Sequence, residues 1–153
     1  MKKLWTTILA VMLLLLAILP VSAQETQRPW RSAVMEMRKN RLDNQELGNE
    51  NKNLRLAIRE QLVELKESGQ ILEDSVKIEL KALTEQIKEK TALLKATQGD
   101  IRELTVGLKE LIEKKETEEI LIIYNQVIEI QEYRNGLLKE INDLLKEIKE
   151  LLP

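Results

Sequence analysis

The sequence predicts an all-α protein: a long antiparallel helical hairpin, with arms at about residues 71–115 and 117–152, preceded by a helix at about residues 30–67. Aromatic residues make up only 3% of the chain and charged residues 33%, a composition typical of long helices and coiled coils. Apolar residues recur at heptad spacing, and two heptad runs mirror each other across a short charged turn. Residues 30–153 are therefore expected to form one domain, a three-helix bundle or coiled coil.

The first arm of the hairpin is indicated by apolar residues separated by steps of three, four or seven, which is the spacing of heptad a and d positions. The stripe is polar at Lys90 and Thr97, and it keeps its phase across Gly99. One uninterrupted helix is therefore expected to pass through that glycine. The apolar members are Val76, Leu80, Leu83, Ile87, Leu94, Ile101, Leu104, Leu108 and Leu111.

The second arm alternates steps of three and four from Ile120 to Leu151, with Arg134 as its polar member. If the chain reverses at residues 114–118, the two stripes face each other as mirror images. Leu111 then meets Ile120, and each earlier residue of the first arm meets a correspondingly later one of the second, ending with Leu80 against Leu151. This regular pairing predicts the hairpin and its register.

The preceding helix is indicated by Leu47, Leu54, Ile58, Leu62 and Leu65, and glycine at position 69 suits its C-terminus. The segment from Gly48 to Asn53 is rich in poor helix formers, so a break there is left open.

A second apolar stripe follows the last arm, one position beyond the a/d line, at Tyr124, Leu138, Leu145 and Leu152. A two-helix pair would leave this stripe in water. It is therefore either covered by the first helix or available to a partner, and we carry it as a candidate partner-facing apolar surface.

The N-terminus has the pattern of a secretory signal peptide: Lys2 and Lys3, an apolar run, Pro20, and then Val21-Ser22-Ala23. Cleavage is predicted after Ala23, which makes residues 1–23 a leader and leaves residues 24–29 as a disordered N-terminus. The expected location is outside the cytoplasmic membrane: extracellular or in the cell envelope, in the periplasm if the envelope is Gram-negative. The alternative is an uncleaved anchor; with cleavage, membrane contact is expected only through the leader.

The composition argues against most enzyme classes. There is no histidine and no cysteine, which removes the commonest general base and the usual zinc and copper ligands. No glycine-rich phosphate loop is present. We therefore expect no catalytic residues, no cofactor and no metal site. The formal net charge is −2, and losing the two leader lysines makes it more negative, so nucleic acid is not an expected partner.

Arg134 is the most unusual member of the heptad stripes, because a cation in a core position loses solvation unless it is paired or reaches water. Mirror pairing places it opposite Thr97, with Gly99 leaving space and Asp100 near enough to supply an acceptor. We interpret Arg134, Thr97, Gly99 and Asp100 as a polar core layer that fixes the register of the hairpin. A ligand site at the same place is the alternative.

Two stretches, Ala96-Thr97-Gln98-Gly99-Asp100-Ile101 and Ile130-Gln131-Glu132-Tyr133-Arg134-Asn135-Gly136-Leu137-Leu138, resemble uncharacterised exported all-helical proteins of low-GC Gram-positive bacteria. The resemblance covers roughly residues 75–152. It implies an exported coiled-coil fold and carries no activity with it.

The sequence therefore favours a non-enzymatic exported protein that acts through protein contacts, as a structural or adaptor module. Its protein partner is unknown, and a homo-oligomer is left open. A holdase-like envelope chaperone, with an exposed apolar helical face, is the alternative. A further surface is the basic segment Arg28, Arg31, Arg38, Lys39 and Arg41, which either meets anionic material of the envelope or pairs with the acidic hairpin.

Overall fold

The computed structural model describes residues 30–153, and this part of the chain is all-helical. The helices are α1 (Arg31–Ser68), α2 (Asp74–Leu104), the short α3 (Leu108–Lys114) and α4 (Thr117–Leu151). The prediction of an all-α fold is confirmed. The predicted leader at residues 1–23 and the predicted disordered segment at residues 24–29 lie outside the described residues.

The central element is α4, and each of the other helices packs against it. Asn44 and Asn51 of α1 contact residues that lie 87 positions further along the chain, so α1 runs parallel to α4. Contacts between α2 and α4 join Lys90 to Glu140 and Thr97 to Arg134, so these two helices are antiparallel. This direction and register agree with the mirror pairing. In contrast, α1 and α2 hardly touch each other.

The apolar core lies in two clusters near opposite ends of the helices. The larger cluster joins all three long helices near the loop between α1 and α2, with Ile58 and Leu65 from α1, Leu83 and Ile87 from α2, and Ile141 among the α4 members. The smaller one packs Ala33 of α1 on Ile120, Tyr124 and Ile128 of α4. Between the clusters the helix contacts include many polar side chains.

The structure corrects the predicted seam of α1. Leu62 was expected in the apolar line but is 43% exposed, and the buried face passes instead through Ile58, Gln61 and Leu65. The helix also continues unbroken from Gly48 through Asn53. Tertiary contacts explain this continuity, because the Asn51 side chain donates to the Leu138 carbonyl at 2.9 Å and thereby ties this turn to α4.

The first hairpin arm is not one helix over residues 71–115, as the heptad phase predicted. It begins at Asp74, continues through Gly99, ends at Leu104 and resumes at Leu108 as α3. Gly107 has φ +82°, a left-handed conformation that glycine adopts without the steric cost other residues incur. This turn interrupts the backbone while Leu108 and Leu111 still pack against the smaller core cluster.

No helix in the described part of the chain is both long enough and apolar enough to cross a membrane.

Candidate functional site

Arg134 lies half-buried between α2 and α4, where one nitrogen, Nη1, makes two hydrogen bonds. It donates to the Leu94 carbonyl at 2.9 Å and to Thr97 Oγ1 at 2.6 Å. Partial burial lowers the pKa of Arg134, because loss of solvation penalises the charged form. The Nε and Nη2 groups donate to no acceptor within residues 30–153. Three of the five N–H donors of this guanidinium are therefore left for solvent or a ligand.

The structure brings only two of the four predicted layer residues together. Arg134 contacts Thr97, but Gly99 is exposed and its missing side chain leaves open space with no neighbouring atom, so it does not make room for the guanidinium. Asp100 is exposed, and no carboxylate of the described chain lies within ion-pair distance of Arg134. Both residues are exposed and lie outside the α2–α4 contact, so their assignment to the layer is wrong.

The candidate partner-facing stripe is buried by the chain itself. Tyr124 belongs to the smaller core cluster and its ring meets Trp30 edge-on, with centroids 6.3 Å apart. Leu145 and Leu152 belong to the larger cluster, and Leu138 is also buried. The stripe is therefore part of the α1–α4 seam, and of its four residues only Leu138 also lines a cleft that a partner could enter.

A line of side-chain amides, which hydrophobic periodicity does not predict, runs along the α1–α4 seam. Asn142 donates to Asn51 Oδ1 at 2.9 Å, and Asn51 donates onwards to the Leu138 carbonyl. Two turns earlier, Asn44 donates to the carbonyls of Asn40 and Gln131, at 2.9 and 3.2 Å. These residues continue the alternating steps of three and four along α1. Because asparagine occupies these core positions, a pattern of apolar residues does not reveal them.

A cleft of about 610 Å³ opens between α1 and α2 at mid-length, with α4 as its floor. We call it, and its continuation along the two helices, the α1–α2 groove. It exists because both helices pack mainly on α4 and make few contacts with each other. Its lining is Arg41, Asn44, Gln45 and Gly48 from α1, Leu94, Gln98 and Ile101 from α2, and Gln131, Arg134 and Leu138 from α4.

The chemistry of this lining is distinct from that of the clefts on the other side of α4. The groove lining includes two arginines, four side-chain amides and three aliphatic residues, and no carboxylate. On the opposite side, one cleft is lined by Asp43, Glu46 and Glu50 with Lys139, and the next by Glu50 with Lys146 and Lys149. The α1–α2 groove is thus a cationic, hydrogen-bonding site with apolar contacts on its floor and walls.

A second surface is formed by the outer face of α1, directly opposite its α4 seam. Met35, Leu42, Leu56 and Val63 recur there in steps of seven or fourteen and are exposed, Leu42 at 64% and Met35 at 58%. This position is normally polar in a helix with only one buried face. We call these four residues the outer apolar line.

Within the described residues, no three carboxylates come close enough to hold a metal ion. Comparisons with known protein families, characterised proteins and solved structures give no match for this chain.

Proposed function

We propose that this protein is a non-enzymatic, exported helical module that acts through protein contacts in the cell envelope or outside the cell. The observation that carries the proposal is the α1–α2 groove. The two long helices α1 and α2 pack on α4 and leave a gap between them, and a groove between two helices is a common docking site for a helix of another protein. Catalysis is left out of the proposal because the chain has neither histidine nor cysteine.

The contact is tested by placing a photoreactive amino acid at Gln98, in the groove, and in a matched variant at Glu132, an exposed position on α4. The expected result in expressing cells is one defined crosslinked protein with the Gln98 variant and none with the Glu132 variant. Equal crosslinking at both positions, or none at the groove position, would contradict the proposal.

Export is proposed from the leader-like N-terminus. The measurement is the intact mass of the protein outside the cytoplasmic membrane, which is expected to correspond to a chain that begins at Gln24. Full-length protein that remains with the membrane would favour the uncleaved anchor.

The second candidate is a holdase-like chaperone, and the outer apolar line is the observation in its favour. Exposed apolar surface, with a flexible methionine at its end, suits binding to unfolding clients. The test is light scattering of an aggregating client with equimolar protein. Chaperone action predicts suppression that Leu42→Glu with Leu56→Glu abolishes, whereas Ile78→Glu, at a 72%-exposed residue of α2 outside the line, leaves it unchanged.

A further inference from the structure

Charge on α1 is separated onto two flanks of the helix. Arg41, Gln45 and Gly48 line the α1–α2 groove, and residues at heptad spacing from them lie on the same flank. Every basic residue of α1 except Lys39 is on this flank, and every acidic residue is on the other. The groove flank carries Arg31, Arg38, Arg41, Lys52, Arg55, Arg59 and Lys66; the opposite flank carries Glu36, Asp43, Glu46, Glu50, Glu60, Glu64 and Glu67.

The facing wall of the groove has the same sign of charge. Gln98 lines the groove from α2, and the positions on its flank hold no acid after Asp74, at the start of the helix. Its cations are Lys77, Lys81, Lys88, Lys95 and Arg102. Lys77 and Lys88 have local ion pairs with Asp74 and Glu85. The other three make none within residues 30–153.

This separation of charge lowers the stability of the folded protein in a way that an ordinary surface helix avoids. Exposed helices gain stability from opposite charges three or four residues apart, yet no ion pair of the described chain involves α1. Instead, two basic walls face each other across a floor that holds Arg134, so like charges repel wherever no anion intervenes. A ligand with negative charge along its length would remove this repulsion.

The rest of the lining indicates what kind of anion fits. Leu94, Ile101 and Leu138 provide apolar contacts along the middle of the groove, which a purely charged polymer would leave unused. None of the lining residues is aromatic, so the platform on which nucleic-acid bases stack is missing. The basic wall from Arg38 to Arg59 spans about 30 Å at 1.5 Å per residue, the length of a helix of roughly 20 residues.

We propose that the α1–α2 groove binds an acidic amphipathic helix of a different protein, whose apolar face contacts Leu94, Ile101 and Leu138 while its carboxylates meet the basic walls. Arg134 holds Nη1 in internal hydrogen bonds and offers Nε and Nη2, the edge that binds a carboxylate through two parallel hydrogen bonds. This inference rests on the proposed function and names the chemistry of the partner.

Neither the N-terminal 29 residues nor a second copy fits this description equally well. The N-terminal 29 residues contain Glu25 as their single acid, against Lys2, Lys3 and Arg28. A second copy would have to insert an acidic face of its own, on α1 or on α4, and such a contact between two different surfaces generates rings or open filaments. A separate acidic helix fills the groove without this consequence.

The test uses two fluorescent 21-residue peptides with the same helical apolar pattern, one with glutamate and one with lysine at all charged positions, against the purified protein. The glutamate peptide is expected to bind, to gain helical circular dichroism, and to weaken steeply with salt. The lysine peptide is expected to bind at least about tenfold more weakly, a difference of 1.4 kcal/mol.

The matched variants are Arg41→Glu and Lys39→Glu, the same change two residues apart on opposite flanks of α1, both at exposed positions. Arg41→Glu is expected to weaken the glutamate peptide about tenfold, and Lys39→Glu less than twofold. Thermal unfolding of both variants shows whether each is folded. A third variant, Arg134→Lys, keeps the charge but removes the two-bond edge, and is expected to weaken binding severalfold.

Several outcomes would overturn the inference. These are equal losses with Arg41→Glu and Lys39→Glu, binding without gain of helix, equal affinity for both peptides, salt-sensitive filaments of the protein alone, or stronger binding of anionic vesicles than of the glutamate peptide. Failure here is separable from failure of the proposed function. A protein that crosslinks a partner through Gln98 but ignores acidic helices would keep the contact and lose only the acidic chemistry.

Discussion

Individual side chains in the seam between α1 and α4 include two kinds of buried asparagine. Asn51 and Asn142 satisfy each other and the Leu138 carbonyl. In contrast, Asn40 Nδ2, Asn44 Oδ1 and Asn135 Oδ1 are buried without a hydrogen-bond partner in the described structure. An unsatisfied buried polar atom costs roughly 1–3 kcal/mol. The first pair therefore stabilises the seam, and each unsatisfied atom of the second group destabilises it.

Removing one asparagine of the Asn51–Asn142 pair is expected to destabilise the protein. Asn142→Ala leaves Asn51 Oδ1 buried without its 2.9 Å donor and should lower the free energy of unfolding by about 2 kcal/mol. Replacing both residues with leucine removes the donor and the acceptor together and should change it by less than about 1 kcal/mol. Urea unfolding measures both. A double variant as unstable as the single one would show that the asparagines act through packing.

Arg134 allows a second prediction about a single residue. Its guanidinium is partly desolvated and has no carboxylate partner in the described chain. The two hydrogen bonds compensate only part of the free energy that this desolvation costs. Arg134→Leu should keep the helical circular dichroism and raise the melting temperature by about 3 °C, or roughly 1 kcal/mol. Arg102→Leu, at an exposed residue, serves as the control. A large fall in stability would contradict the polar-layer interpretation.

Among the helices, the break between α2 and α3 shows how two glycines of one predicted helical arm play different roles. Gly99 lies inside α2 with open space where a side chain would be, whereas Gly107 has φ +82° in the turn. In a helix interior glycine is less favourable than alanine by about 1 kcal/mol. At positive φ alanine is strained.

The two alanine substitutions should therefore change the free energy of unfolding in opposite directions. Gly99→Ala is expected to raise the free energy of unfolding by about 0.8 kcal/mol, and Gly107→Ala to lower it by about 1 kcal/mol. Chemical denaturation of the two variants checks this. If Gly107→Ala were neutral, α2 and α3 could join into the single helix that the heptad phase predicted.

The hairpin also shows what could be predicted from sequence. The a/d stripes of α2 and α4 are mostly aliphatic and keep an unbroken phase through their few polar members, so the pairing of Thr97 with Arg134 could be predicted from heptad spacing alone. The turn at residues 105–107 could not, since a short interruption that preserves phase leaves the hydrophobic pattern unchanged. The α1 seam was only partly recognised, because Asn40, Asn44 and Asn51 occupy core positions that hydrophobic periodicity does not count.

Prediction of the candidate site from sequence was limited by the packing angle between helices. Arg134 was identified from sequence, because a cation stands out in an apolar stripe. The groove around Arg134 could not be predicted. It depends on the position that α1 takes around α4 relative to α2, and the heptad spacing within each helix does not determine that position. The charge separation was visible as a basic segment near residues 31–41, but its continuation to Lys66 appears only once the groove-facing flank is known.

Over the whole molecule, the distribution of charge matters more than the net value of −2. One face of the three-helix array is basic along α1 and α2, so like charges repel across it, whereas the acidic flank of α1 has repulsion along its own length and faces lysines of α4. Such repulsion between exposed groups is small and long-ranged, and it is screened by salt within a Debye length of about 10 Å at 0.1 M.

Two charge reversals should therefore shift stability in opposite directions. At low ionic strength Arg41→Glu relieves repulsion in the groove and is expected to raise the melting temperature by about 2 °C, whereas Lys39→Glu adds a charge to the acidic flank and is expected to lower it by a similar amount. Both residues are exposed on the same helix, and the three residue types have similar helix propensities, so local effects cancel. In about 0.5 M salt both shifts should largely vanish. Shifts of the same sign, or shifts that persist in salt, would mean that the two flanks do not act as separate electrostatic surfaces.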